Sequence, residues 1–407
     1  MNLSKITARI ISTGALAGLM GISAPAVSAQ DTEKLAAADN GFAFDLLQQI
    51  AKEQPDKNIF ISPFSVSTAL QMVGNGAAGE TKMEMQRVLK TSGLQPDELN
   101  AAFKHLDQSL DSQTNVILDL ADGIWYQKQF HLKHGFISDN KRYFQTELTG
   151  VDFENPKSAD IINDWADKKT RGKIKGIVQF PFPPLTRVIL ANAIYFKGKW
   201  ADPFDKSETK PRDFHLSGGD VRQVPMMWQS KTFSYQEGDG FQAVRLPYAG
   251  YRLQMYLFLP ATNSGPQKLL ADFNGENWRD NILTQFADRE GTLALPKFKI
   301  NYDVELNGPL ESLGMKCAFD FHNADFSAMA DDPLFVSEVK QKSFVAVDEE
   351  GTEAAAAVTT ELMAGGIAPI NPPKPFEMIV DRPFLFVIAD EQTQSILFTG
   401  IIFDPSN

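Results

Sequence analysis

The 407-residue chain has one cysteine, Cys317, which excludes a disulfide framework and any multi-cysteine zinc or iron–sulfur site. Histidine is scarce too, at five. His131 and His134 stand at i, i+3, but no third His or Cys lies near them, so an exposed turn accounts for the pair better than a metal does. Cations are in the minority: 39 Lys and Arg against 51 Asp and Glu give a net charge of −12, which argues against binding a phosphate backbone. The basic run Lys168, Lys169, Arg171, Lys173 and Lys175 reads as a solvated helix end within this acidic whole. No Gly-x-Ser-x-Gly elbow occurs. Cys317, in Leu313-Gly314-Met315-Lys316-Cys317, reads as a packed or idle thiol. With no nucleophile–base pair and no metal constellation, neither enzyme chemistry nor a cofactor is expected. After residue 29 no stretch reaches the roughly 18 apolar residues that a membrane span requires.

What is present begins with an address. Residues 1–29 carry Lys5 and Arg9 without an acid, an apolar stretch over 10–22, then Pro25 and the small residues Val27-Ser28-Ala29. That layout predicts a cleaved secretory signal and an exported protein, periplasmic or extracellular. The remainder, 30–407, has 43% hydrophobic residues in the whole-chain count and no linker or repeat, so one large domain is expected.

The first third spaces its apolar residues helically. Residues 32–52 place Leu35, Phe42, Phe44, Leu46, Leu47 and Ile50 on a helix. Ser62 fits an N-cap and Pro63 a first helical position. Further helices are predicted over 82–89 and 161–169, the latter carrying Trp165. Residues 116–121 and 188–196 are apolar runs without alternation, as in strands buried on both faces. From Thr209 onward strands dominate, at 243–246 and 251–259 around a Pro247/Gly250 turn, then 293–300, 334–347 and 384–402. Helices first and strands later predict an α+β fold built on large mixed sheets.

Residues 349–376 break the pattern, since a loop this long in a compact domain usually has a task. Every second residue from Thr352 (Ala354, Ala356, Val358, Thr360, Leu362) is small or apolar, while Glu353 and Glu361 fall on the other face. This is the alternation of a half-buried strand. The four alanines Ala354, Ala355, Ala356 and Ala357 add no bulk that would stop it sliding between two strands.

An ordered set of blocks resembles the serpins along nearly the whole chain. It comprises Asn58-Ile59-Phe60-Ile61-Ser62-Pro63-Phe64-Ser65; Gly76-Ala77-Ala78-Gly79-Glu80-Thr81; Ile162-Asn163-Asp164-Trp165 with Thr170-Arg171-Gly172-Lys173-Ile174; Asn192-Ala193-Ile194-Tyr195-Phe196-Lys197-Gly198-Lys199-Trp200 with Pro203-Phe204; Asp348-Glu349-Glu350-Gly351-Thr352-Glu353-Ala354; and Arg382-Pro383-Phe384-Leu385-Phe386 with Phe398-Thr399-Gly400. The resemblance implies helices packed around three β-sheets, the largest central, with an exposed reactive centre loop at about 349–376.

It also implies a mechanism. The loop is bait for a serine or sometimes cysteine protease, whose nucleophile forms an acyl-enzyme at the cut bond. The cut loop then inserts into the central sheet as a new strand, and the protease is held as a covalent 1:1 complex with a monomeric inhibitor. About a dozen residues gaining ladder bonds at ~1 kcal/mol each supply on the order of 10 kcal/mol. The hinge, Glu350 to Ala357, offers no proline or bulk against insertion, which implies an active inhibitor. Fourteen residues on from Gly351, family spacing puts the reactive bond at Gly365–Gly366, with Leu362, Met363 and Ala364 as alternatives. No Lys or Arg lies between Gly351 and Asn371, so elastase-, chymotrypsin- or subtilisin-like targets are expected. The resemblance assigns Ser62, Ser65 and Asn192 to the shutter and Trp200 to the breach where the loop enters. One departure stands out: Gln341 occupies the place of a common shutter histidine, so the strands can be latched by hydrogen bonds but not titrated at that point. The competing expectation is a non-inhibitory binding or chaperone-like serpin whose loop is only a substrate.

Overall fold

A computed structural model describes residues 29–111, 116–144, 146–352 and 373–406. The leader and residues 353–372, including every candidate for the reactive bond and the hinge residues Glu353, Ala354, Ala355, Ala356 and Ala357, lie outside the described residues.

Six longer helices are α1 (Ala29–Glu53), α2 (Pro63–Gly74), α3 (Gly79–Val88), α4 (Pro96–Asp111), α5 (His134–Tyr143) and α6 (Lys157–Lys169). The apolar face read from residues 32–52 is fully buried in α1. Ser62 does cap α2, its hydroxyl accepting from the Ser65 amide at 3.3 Å, with Pro63 at the first position. Helix α2 is buried along nearly its whole length and forms the spine behind the central sheet.

The strands are β1 (Ile59–Ile61), β2 (Val116–Gln127), β3 (Glu147–Val151), β4 (Val188–Lys199), β5 (Lys210–His215), β6 (Val221–Gly238), β7 (Phe241–Pro247), β8 (Leu253–Pro260), β9 (Ala287–Pro296), β10 (Phe298–Glu305), β11 (Val336–Asp348), β12 (Gly351–Thr352), β13 (Phe376–Ile379), β14 (Phe384–Asp390) and β15 (Ile396–Ile402). The central sheet runs β10-β11-β12-β4-β2-β3, with β11 and β4 also paired directly. The second runs β1-β15-β14-β8-β7-β6-β9-β13, with β5 on β6. The third sheet of the expected architecture is hydrogen-bonded into this one. The 18-residue β6 pairs first with β5, then with β9, and at its end with β7.

Two readings change. Residues 293–300 are not one strand. Phe298 pairs with Val347 in the central sheet, whereas Pro296 pairs with Met226 in the other. The burial pattern switches there from a continuous run in β9 to strict alternation in β10, as expected where a strand passes from a covered position to an edge. Strand β4 is buried on both faces as read, but the first five residues of β2 are only half-buried. Residues 384–402 form the hairpin β14–β15.

Candidate functional site

The site lies along the seam where β4 and β11 meet, and α2 supplies its anchor. Halfway along the seam Gln341 of β11 is in register with Asn192 of β4, and Asn192 with Asp122 of β2, so three polar side chains form one row across three strands. On one side, Gln341 donates from Nε2 to the Ser62 carbonyl at 3.0 Å and accepts the Ser62 amide at 2.9 Å. The Ser343 hydroxyl donates to the Phe60 carbonyl at 2.6 Å. On the other side, Asp122 Oδ1 accepts from Asn192 Nδ2 at 2.6 Å and from Ser65 Oγ at 2.5 Å. Both halves of the seam are thus tied to the same turn of chain, 60–65. Asn192 Oδ1 is buried without a hydrogen-bond partner.

Burial pushes the Asp122 carboxyl up to about 7, opposed by the hydrogen bonds from Ser65 and Asn192 and assisted by the negative charge of Asp107. The sequence reading passed over Asp122. Its signal was a lone acid in Leu120-Ala121-Asp122-Gly123-Ile124, a stretch otherwise apolar or small.

At the upper end of the seam, β12 is wedged between β4 and β11. Gly351 pairs with Lys199 and Asp348, and Thr352 with Gly198 and Val347, antiparallel to both neighbours. Gly351 and Thr352, two of the residues expected in the hinge, therefore already pair within the sheet. Backbone approach here is so close that a Cβ on Gly351 would lie 2.2 Å from the Gly198 carbonyl oxygen, and its φ is +148°.

Trp200, 3% exposed, holds this end together. Its amide donates to the Glu350 carbonyl at 2.9 Å and its indole Nε1 to the Asp348 carbonyl at 3.0 Å. Its ring stacks on Tyr248 with centroids 4.7 Å apart, and the Tyr248 hydroxyl meets Thr352 Oγ1 at 2.8 Å in the buried interior. Glu349, nearly buried, takes hydrogen bonds from Lys297 Nζ and Thr209 Oγ1, each at 2.8 Å. Burial opposes its ionisation, but those two bonds hold its carboxyl below the usual range. Glu350 pairs with Lys206 at the rim. Glu349 enters the sequence reading only as part of the hinge block, and Tyr248 not at all: it follows Pro247 in a turn, where nothing local marks an aromatic as buried.

Below the wedge the sheet is shut. Tyr195 and Phe344 are the last residues paired directly between β4 and β11, with ring centroids 6.3 Å apart. Lys173 Nζ lies 5.8 Å from the Tyr195 centroid and 5.5 Å from that of Phe344, and Lys299 Nζ 5.5 Å from Phe344. The basic run is exposed as read, with Arg171 paired to Asp119 at 2.7 Å. Cys317 is half-buried, and burial and Glu84 raise its thiol above the ordinary range, the opposite of a nucleophile. No group of three or more metal-ligating side chains occurs among the described residues.

The seam of the central sheet is thus latched in the middle, shut below the top and wedged open by two residues of a long connection. The family described as Serpin (serine protease inhibitor) matches residues 37–405. An uncharacterized serpin-like protein of Thermococcus kodakarensis is 37% identical over 378 residues, covering 91% of this chain and 85% of that protein. Plasminogen activator inhibitor 1 of Neovison vison is 35% identical over 379 residues, covering 89% and 91%. Among solved structures, human thyroxine-binding globulin complexed with thyroxine aligns with a TM-score of 0.82 at 29% identity, over 92% of this chain and 99% of that one. The chain belongs to the serpin family and is not an enzyme.

Proposed function

We propose that this serpin inhibits serine endopeptidases, and some cysteine endopeptidases, as a suicide substrate. The observation that carries the reading is β12, since Gly351 and Thr352 make ladder pairs with both β4 and β11 and mark the slot a cut loop would extend. The four alanines that follow could continue along it without collision. Bonds made on insertion, on the order of 10 kcal/mol, would be withheld from the intact protein by a barrier rather than by equilibrium. Moving the acylated protease by even ~1 Å out of register can cost about a hundredfold in rate.

In this reading Glu350 to Ala357 act as hinge, Ser62, Ser65, Asn192 and Gln341 as shutter and Trp200 as breach. The reactive bond is Gly365–Gly366, with Leu362, Met363 and Ala364 as alternatives. Targets are elastase-, chymotrypsin- or subtilisin-like. The protein acts as a single-domain monomer in a 1:1 complex, after export and loss of residues 1–29. No helix among the described residues is long and apolar enough to cross a membrane.

The test is a denaturing gel of the mature protein with elastase, chymotrypsin, subtilisin and trypsin, with mass spectrometry of any released C-terminal peptide. A stable band near the summed mass is expected with one of the first three, and the peptide mass fixes the bond. Complete loop cleavage without such a band for every protease tried would contradict inhibition and favour a serpin whose loop is only a substrate.

A further inference from the structure

We propose that Asp122 is the titratable member of the shutter: carrying a proton it completes the latch across β2, β4 and α2, and losing the proton it loosens the sheet for strand entry. The inference rests on the insertion mechanism proposed above.

Asp122 is the one acid in the row Asp122–Asn192–Gln341, and through Ser65 it ties the β2–β4 half of the seam to α2. Beside it, Asn192 Oδ1 is a buried acceptor that receives no donor. Such orphans are rare in native proteins and call for a donor. Ser65 Oγ and Asn192 Nδ2 already donate to Asp122 Oδ1, so neither serves. A neutral carboxyl supplies one O–H that an ionised one lacks. Protonated Asp122 can therefore donate to Asn192 Oδ1 while still accepting from Ser65. Ionised Asp122 leaves that oxygen orphaned and adds a negative charge beside it.

The surroundings reinforce this. Asp122 is half-buried and lines a pocket of about 220 Å³. The titratable or charged groups facing it there are Asp107 from α4, Tyr143 from α5 and Lys169 at the end of α6. From α2 the neighbours are the uncharged Ser65, Thr68 and Met72, and β4 contributes Asn192. The preference for the neutral form agrees with a carboxyl raised to about 7, burial being its largest cause. The sign follows by linkage. The closed sheet binds the proton more tightly than a parted sheet that admits water beside Asn192, so closure is favoured below about pH 7 and weakened above it. In this chain the role that histidine would serve at position 341 falls to a carboxylate two strands away.

The test is the rate at which a synthetic peptide of sequence 352–362 enters the mature full-length protein as an added strand, followed by native mass spectrometry without any protease. For the wild type, entry is expected to be on the order of tenfold faster near pH 8 than near pH 6, the factor given by one unit of difference in proton affinity. Asp122→Asn, whose amide is a permanent donor, is expected to be slow and independent of pH, which also separates Asp122 from other groups that titrate in the range, Asp39 among them. A flat or reversed wild-type profile, or the wild-type profile persisting in Asp122→Asn, overturns the proposal. Should Asp122→Asn fail to fold, Ser65→Ala keeps the acid and removes a donor to its charged form, so the rise in rate should move to higher pH; an unmoved midpoint overturns the proposal. If no peptide enters at any pH and loop cleavage brings no gain in thermal stability, the insertion reading itself falls, and this inference with it.

Discussion

At Gly351 two constraints meet, a φ of +148° and a carbonyl oxygen 2.2 Å from where a Cβ would stand. The contact is with backbone, which cannot swing aside. Gly351→Val should therefore unseat β12, and the expected outcome is a several-fold larger number of inhibitor molecules consumed per protease inactivated, read by titration against a fixed amount of enzyme. The Tyr248–Thr352 hydrogen bond is a smaller device. Tyr248→Phe keeps the stack on Trp200 and should lower unfolding stability by about 1 kcal/mol in a denaturant titration. A second buried acid, Asp39, adds to the pH dependence of stability. Burial raises the Asp39 carboxyl of α1 to about 8, with the Ser67 hydroxyl as a lesser, opposing influence. A raised carboxyl binds its proton more tightly in the folded state, so its contribution is full below about pH 4 and is lost as pH climbs to about 8. Asp39→Asn should reduce that slope, measured as the midpoint of urea unfolding at several pH values.

Elements were legible where one period held from end to end. Helix α1 and strand β4 each face one environment, and their apolar spacing said so. Strand β6 changes partner from β5 to β9 to β7 along its length, so its burial follows no single period and its extent could not be read. The run 293–300 was merged because two differently covered strands abut at Lys297. The latch divides similarly. Ser62, Asn192 and Gln341 were found through motifs, and Ser62 also through its capping position. Asp122 and Ser343 needed the register of β2, β4 and β11, which no local pattern carries. The latch has its own test. Gln341→Ala strips both bonds between β11 and the buried Ser62 backbone. At roughly 1–3 kcal/mol per buried polar group left unsatisfied, the variant should lose about 2–5 kcal/mol on chemical unfolding. It should also convert more readily to loop-inserted or polymeric forms on a native gel after mild heating.

The whole molecule, in the proposed mechanism, holds back a more stable fold in its intact form. The seam is already spread at Gly351 and Thr352, shut at Tyr195 and Phe344, and latched at Gln341 and Asn192, so an entering strand would have to pass downward through each in turn. The direct measurement is thermal unfolding of the intact mature protein beside the same protein cut once between residues 362 and 366. A strand's worth of new bonds, on the order of 10 kcal/mol, predicts a rise in midpoint of about 10–20 °C after cutting. An unchanged or lower midpoint would mean that the cut loop stays outside the sheet, and would contradict the account.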